Sequence, residues 1–232
     1  MAIETKISVA ELAGMIDYTL LKPEATPDQV EQICKEAVEY RFASVCVNSG
    51  YVTLTKRNLQ GSLVKVGTTI GFPLGAASTK SKICEAEEAM NDGAKELDMV
   101  INIGRLKAQY YDYVESEIRE VADAAHQGNS ILKVIIEACL LTGEEKEKAC
   151  RLTKEAGADF VKTSTGFSKG GATAADVALM RKVVGSKMGV KAAGGIRSYD
   201  DALIMVQSGA SRIGTSSGVK IILEVVALSR TD

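Results

Sequence analysis

Three times in this chain a helical pattern runs into glycine and alanine, and a β-branched run begins within a few residues. The triplets are Asp92-Gly93-Ala94, Ala156-Gly157-Ala158 and Ser208-Gly209-Ala210. Glycine at such a point lets a helix close in the left-handed conformation, which side chains with a Cβ resist. The recurring unit is therefore helix, glycine turn, strand. Chains built from that unit wind their strands through helical crossovers.

Short apolar runs with strand character lie at 13–18, 43–48, 64–70, 95–101, 131–137, 158–163, 188–193 and 210–215. The segments between them carry apolar residues at spacings of three and four. Val30, Ile33, Cys34, Ala37 and Val38 form one such stripe, and Val114, Ile118, Val121 and Ala125 another. Thr26-Pro27-Asp28-Gln29 and Thr142-Gly143-Glu144-Glu145 read as capping boxes, and Thr173 and Ser198 as further helix N-caps. No linker or low-complexity stretch interrupts the alternation, so residues 1–232 are expected to form a single α/β domain, a (β/α)8 TIM barrel. A doubly wound open sheet is the alternative. It usually has a glycine-rich first turn, whereas the corresponding segment here is Leu20-Leu21-Lys22-Pro23.

Composition narrows the chemistry. A net charge of −2 offers no electrostatic case for nucleic acid or an anionic membrane as partner, and no apolar run is long enough to span a bilayer. The start, Met1-Ala2-Ile3-Glu4-Thr5-Lys6, does not read as a signal peptide. The five cysteines, Cys34, Cys46, Cys84, Cys139 and Cys150, are scattered and never form Cys-x-x-Cys, which suits reduced thiols in a cytoplasm. His126 is the only histidine and reads as a surface residue at a helix end. A multi-histidine metal centre is thereby excluded, and no metal or cofactor is expected.

In a barrel, ligands meet the loops that follow the strands. The residues at those ends are Asp17, Asn48, Gly71, Asp98 with Asn102, Glu137, Lys162, Lys191 and Gly214. Two of them are lysines among Phe, Val, Ala and Gly, where an ammonium is costly to bury. A lysine that attacks a carbonyl must be neutral, so its pKa has to fall from ~10.4 to about 7, or ~4.6 kcal/mol. A second ammonium ~5 Å away supplies ~3.3 kcal/mol at an effective dielectric of about 20, and partial desolvation the remainder. Lys162 and Lys191 on adjacent strands can thus make one reactive amine between them, although this arithmetic does not decide which. The alternative is that one or both lean out into water.

Strand alternation puts Asp98, Val100 and Asn102 on one face, with Leu97, Met99 and Ile101 on the other. A lysine across the barrel is the natural partner for Asp98, as a proton carrier or as a purely structural ion pair. Lys133 and Glu137 share a face and read as interior partners without a catalytic step. Gly194-Gly195-Ile196-Arg197 and Gly214-Thr215-Ser216-Ser217-Gly218 follow the last two strands, where barrels often bind phosphate on backbone amides. Ordinary tight loops are the alternative for both.

Taken in order, the segments Ile16–Pro23, Ala43–Asn48, Ile70–Gly75, Glu96–Asn102, Leu132–Glu137, Phe160–Phe167, Gly189–Arg197 and Gly214–Gly218 resemble the deoxyribose-phosphate aldolase family of class I aldolases, over nearly the whole chain. The resemblance implies that Lys162 forms a Schiff base, with Lys191 as the neighbouring cation and Lys191 and Asp98 as proton donors or acceptors. It implies substrate and phosphate contacts at Asp17, Gly166, Gly194, Gly195, Gly214, Ser216 and Ser217. Two departures stand out. Tyr18 replaces a histidine that many members have beside Asp17, and the chain ends Ser229-Arg230-Thr231-Asp232 where some members have a tyrosine that reaches the site.

The expected reaction is reversible cleavage of 2-deoxy-D-ribose 5-phosphate to D-glyceraldehyde 3-phosphate and acetaldehyde. Small phosphosugars and aldehydes are the expected partners, and a homo-oligomer is compatible with the sequence. The rivals are another phosphosugar class I aldolase, or an isomerase or binding barrel in which both lysines neutralise phosphate.

Overall fold

The protein is described by a computed structural model covering residues 7–228. Eight parallel strands close into a barrel in chain order: β1 (Ile16–Leu20), β2 (Ser44–Val47), β3 (Lys65–Ile70), β4 (Glu96–Val100), β5 (Ile131–Ile135), β6 (Phe160–Lys162), β7 (Gly189–Ala193) and β8 (Arg212–Thr215). The helices outside the barrel include α1 (Val9–Ala13), α2 (Pro27–Tyr40), α3 (Val52–Asn58), α4 (Thr79–Asp92), α5 (Ile103–Lys107), α6 (Tyr111–Gln127), α7 (Gly143–Glu155), α8 (Ala174–Val184), α9 (Tyr199–Gln207) and α10 (Gly218–Leu228). None of the described helices is long and apolar enough to cross a membrane.

The helix ends follow from local chemistry. Thr26 and Thr142 make the expected capping boxes with Gln29 and Glu145, and Thr173 and Ser198 cap α8 and α9. Gly93, Gly157 and Gly209 all have positive φ, and the alanine after each donates its N–H to a carbonyl five residues back. The same closure occurs at Arg41, Gln109 and Asn129, where the left-handed residue is not glycine. Asn129 is a residue type that tolerates this conformation, whereas Arg41 and Gln109 carry no such signal in the sequence.

The first strand begins later than expected. Ser8 and Glu11 form a capping box that starts α1, so Ala13 ends a helix and β1 opens at Ile16. The sixth strand is likewise shorter than 158–163, spanning Phe160–Lys162.

Alternation divides each strand between two environments. Leu97, Met99, Val134, Val161, Val190 and Ile213 face outward and are fully buried beneath the helices. Burying each such side chain contributes about 1.5–3 kcal/mol, so the apolar core is the annulus between strands and helices. The lumen is different. Its residues include Asp17, Glu96, Asp98, Lys133, Lys162, Lys191 and Arg212, and it is held by ion pairs.

Candidate active site

Strand register brings the reacting groups together. Lys162 and Lys191 are direct neighbours across β6 and β7, and Asp98 pairs with Lys133 across β4 and β5. The Lys162 Nζ lies 2.8 Å and the Lys191 Nζ 2.6 Å from one oxygen, Asp98 Oδ2. Two nitrogens on one oxygen are within about 5 Å of each other, the range in which a second ammonium is worth a few kcal/mol. Lys162 is 3% exposed and Lys191 and Asp98 are wholly buried. Neither lysine leans into water.

Beneath them Lys191 also reaches Asp17 Oδ2, at 2.6 Å. Lys133 Nζ touches Asp17 at 3.1 Å, Glu96 at 2.5 Å and Asp98 at 3.2 Å. Arg212 meets Asp17 at 2.5 Å and Glu96 at 3.1 Å. The lumen therefore pools four basic side chains (Lys133, Lys162, Lys191, Arg212) against three carboxylates (Asp17, Glu96, Asp98). A dry interior resists a surplus charge, so one base is pressed to lose its proton. Arginine cannot, Lys133 has three carboxylate partners, and Lys191 has two. Lys162 has only Asp98.

The titration behaviour follows the same geometry. Burial pushes the Lys162 pKa down, Asp98 opposes that, and Lys191 adds to it. Desolvation is thus the larger cause and the second cation the smaller, the reverse of the weighting expected from sequence. Lys191 is also penalised by burial, yet Asp17 and Asp98 together hold its pKa above the ordinary value. Asp98 is kept ionised, burial being outweighed by Lys133, Lys162 and Lys191. Cys46, on the same inner face, has its thiol pushed up to about 11 by burial and stays neutral.

The loops that follow β6 and β7 contain glycine turns. Gly166, Gly194 and Gly195 all have positive φ. Gly166 and Gly195 are exposed with nothing packed where a Cβ would be. Gly194 meets Gly171 from the preceding loop, and a Cβ on Gly171 would lie 2.2 Å from the Gly194 carbonyl oxygen. Thr215 Oγ1 donates to the Ile196 carbonyl at 2.7 Å and accepts from the Ser217 N–H at 2.9 Å, which ties the two turns together. Ser216 is exposed beside them.

Other expectations are corrected by position. Asp17 does not face the mouth: it is fully buried, and its two oxygens take Ser44, Lys133, Lys191 and Arg212. No acceptor is left there for a substrate. Gly214 is buried in β8, where a Cβ would come within 3.0 Å of Lys191 Cε, so it makes room for the amine arm. Glu137 does not join Lys133, because β5 ends at Ile135 and Glu137 turns to positive φ. Its carboxylate instead holds the Thr165 hydroxyl at 2.5 Å and the Thr165 N–H at 3.3 Å, in the loop after Lys162. Tyr18 points out of the barrel and donates to Glu36 Oε2 at 2.7 Å, away from the amines. The segment Ser229–Asp232 lies outside the described residues.

A family model described as DeoC/LacD family aldolase matches residues 13–224. This chain belongs to that aldolase family. The aldolase is 57% identical over 218 residues to the deoxyribose-phosphate aldolase of Caldanaerobacter subterraneus subsp. tengcongensis, covering 94% of each chain. It is 60% identical over 214 residues to that of Thermococcus kodakarensis, covering 91% of this chain and 96% of the relative. Its fold matches the deoxyribose phosphate aldolase of Aeropyrum pernix, described as having a unique tetrameric structure, with a TM-score of 0.89 and 36% identity. That match covers 95% of this chain and 93% of the other.

Glu96 and Arg212 of the aldolase escaped the sequence reading. Glu96 sits two residues before Asp98 and so shares its face, a signal that alternation carried. Arg212 is paired with Lys191 across β7 and β8, which only the register reveals.

Proposed function

We propose that this aldolase reversibly cleaves 2-deoxy-D-ribose 5-phosphate to D-glyceraldehyde 3-phosphate and acetaldehyde, with Lys162 as the imine-forming nucleophile. The observation that carries the assignment is the shared oxygen of Asp98, gripped by two amines of which only Lys191 has a second carboxylate. Lys162 is then the neutral amine and Lys191 the permanent cation. The substrate named is that of relatives 57% and 60% identical over nearly the whole chain.

Lys162 Nζ attacks the sugar aldehyde, and loss of water leaves a protonated imine. Removal of the proton from the third-carbon hydroxyl, through Asp98, Lys191 and water, breaks the bond between the second and third carbons. The electron pair passes into the iminium, giving an enamine and releasing glyceraldehyde 3-phosphate. Protonation of the enamine carbon and hydrolysis then free acetaldehyde and restore the lysine. Asp98 is held ionised by its lysines, so it serves as a carrier of protons between partners rather than as a strong base.

For the phosphate, the turn amides at Gly166, Gly194 and Gly195 and the hydroxyls of Ser216 and Ser217 are the proposed donors, because they lie in the loops that follow β6, β7 and β8. The Ser217 amide is already engaged with Thr215, so this residue would contribute its side chain. Treating the enzyme with substrate and borohydride should add to Lys162 the reduced imine of the intact sugar phosphate or of acetaldehyde, found by peptide mass analysis. Lys162→Arg should abolish both adduct and turnover. An enzyme that turns over without ever trapping an adduct at Lys162 would defeat the imine route.

A further inference from the structure

We propose that Arg212, together with Glu96, is a positioning pair for the imine chemistry: from the layer of the lumen beneath the reacting groups, their fixed charges set the proton occupancy of Lys162. The inference rests on Lys162 being the nucleophile, as proposed above. Arg212 touches no part of the reacting cluster of Asp98, Lys162 and Lys191 directly. Its guanidinium lies against Asp17 Oδ1 and Glu96, and packs over the Phe160 ring at 5.5 Å from its centroid. Gly189 leaves the space that ring occupies, since a Cβ there would lie 2.1 Å from Phe160. The layer is thus built by β1, β4, β6, β7 and β8 together.

The charges facing Lys162 are Asp98 from β4 and Lys191 from β7, with the neutral thiol of Cys46 from β2. Those facing Arg212 are Asp17 from β1 and Glu96 from β4, with Lys133 from β5 on the same carboxylates. The two groups are linked through Lys133 and Lys191, which bind Asp17 and Asp98 at once. Without Arg212 the lumen would hold three lysines against three carboxylates, and the surplus that favours a neutral Lys162 would vanish. Asp17 would also turn more of its charge on Lys191, leaving Asp98 freer to hold a proton on Lys162. Glu96 acts with the opposite sign.

The size follows from distance. Register places Arg212 beside Lys191 and Lys191 beside Lys162, so two strand spacings, roughly 10 Å, separate the ends. At an effective dielectric of about 20, a unit charge at that range moves a titration by about one pH unit.

The test is the acid limb of kcat/KM against pH, measured for the unaltered enzyme and for Arg212→Met, Arg212→Lys and Glu96→Gln. Arg212→Met should move the limb up by about one pH unit, a loss near tenfold at neutral pH. Arg212→Lys should restore it. Glu96→Gln should move it down by a similar amount. Opposite shifts are the signature, because a merely structural role would lower activity at every pH without moving the limb. Coincident limbs, or shifts of the same sign, overturn the proposal. Should Arg212→Met fail to fold, Glu96→Gln is nearly isosteric and decides alone: an unmoved or raised limb overturns it. Borohydride trapping with acetaldehyde on the unaltered enzyme separates the two readings. No adduct on Lys162 defeats the nucleophile assignment, whereas an adduct with unmoved limbs defeats only the role given to Arg212 and Glu96.

Discussion

Replacing Lys191 with methionine removes a cation while keeping most of the volume of its arm. The amines of Lys162 and Lys191 share Asp98 Oδ2 at 2.8 and 2.6 Å. At about 5 Å and an effective dielectric of ~20, their repulsion is ~3 kcal/mol, a little over two pH units on Lys162. In Lys191→Met that repulsion is gone, and Asp98 retains only Lys133 and Lys162 as ionic partners. Lys162 then gains a proton, and the neutral fraction at pH 7 falls by roughly a hundredfold. Burial of Lys162 is unchanged, so the pH-dependent part of the loss should not greatly exceed that share, and any pH-independent remainder reports the part Lys191 takes in moving the hydroxyl proton. The assay is kcat/KM with 2-deoxyribose 5-phosphate from neutral to alkaline pH. Activity should start ~100-fold low and climb about tenfold per pH unit as the lysine approaches its ordinary range. A deficit that stays constant to about pH 10 would refute the electrostatic role and leave Lys191 as an obligatory proton donor in the chemistry.

Gly171→Ala should push the loop after β6 off Gly194, since the new Cβ would lie 2.2 Å from the Gly194 carbonyl. KM for the phosphorylated sugar should rise several-fold while acetaldehyde trapping at Lys162 persists, and equal losses in both assays would contradict this division. Tyr18→Phe should leave kcat unchanged and reduce stability by about 1 kcal/mol, read from thermal melts, because the lost hydroxyl bonds Glu36 outside the barrel. Acid should unfold the enzyme through its lumen. Burial opposes the charge on Asp17 and Asp98, but Lys133 with Lys191 and other cations hold both pKa values below the usual range. A depressed folded pKa gives stability that is complete above the unfolded value of ~3.9 and is lost as pH falls further. Tm should therefore drop below about pH 4, and a Tm that rises there would contradict the assigned charges.

The barrel was legible because its signals are local. Gly93, Gly157 and Gly209 mark helix ends through their own backbone freedom, and Thr26 and Thr142 mark helix starts through their own hydroxyls. Arg41 and Gln109 close helices in the same way without any local mark. Lys162, Lys191 and Asp98 stood out because charge inside an apolar strand is costly, and they do converge. Asp17 was placed at the mouth as the end of a strand over 13–18, yet β1 runs from Ile16 to Leu20 and leaves Asp17 at its beginning, while Gly214 lies within β8, and both are buried.

Sequence by itself therefore determined the parallel wound architecture, the outward apolar faces and the presence of amines near a carboxylate. Each depends on neighbours along the chain and on the two-residue period of a strand. Which amine gives up its proton was decided only in three dimensions. It depends on how many carboxylates each base touches and on the count of charges sealed in one dry space. Residues from β1, β4, β5, β6, β7 and β8 set that count, and no stretch of sequence contains them together.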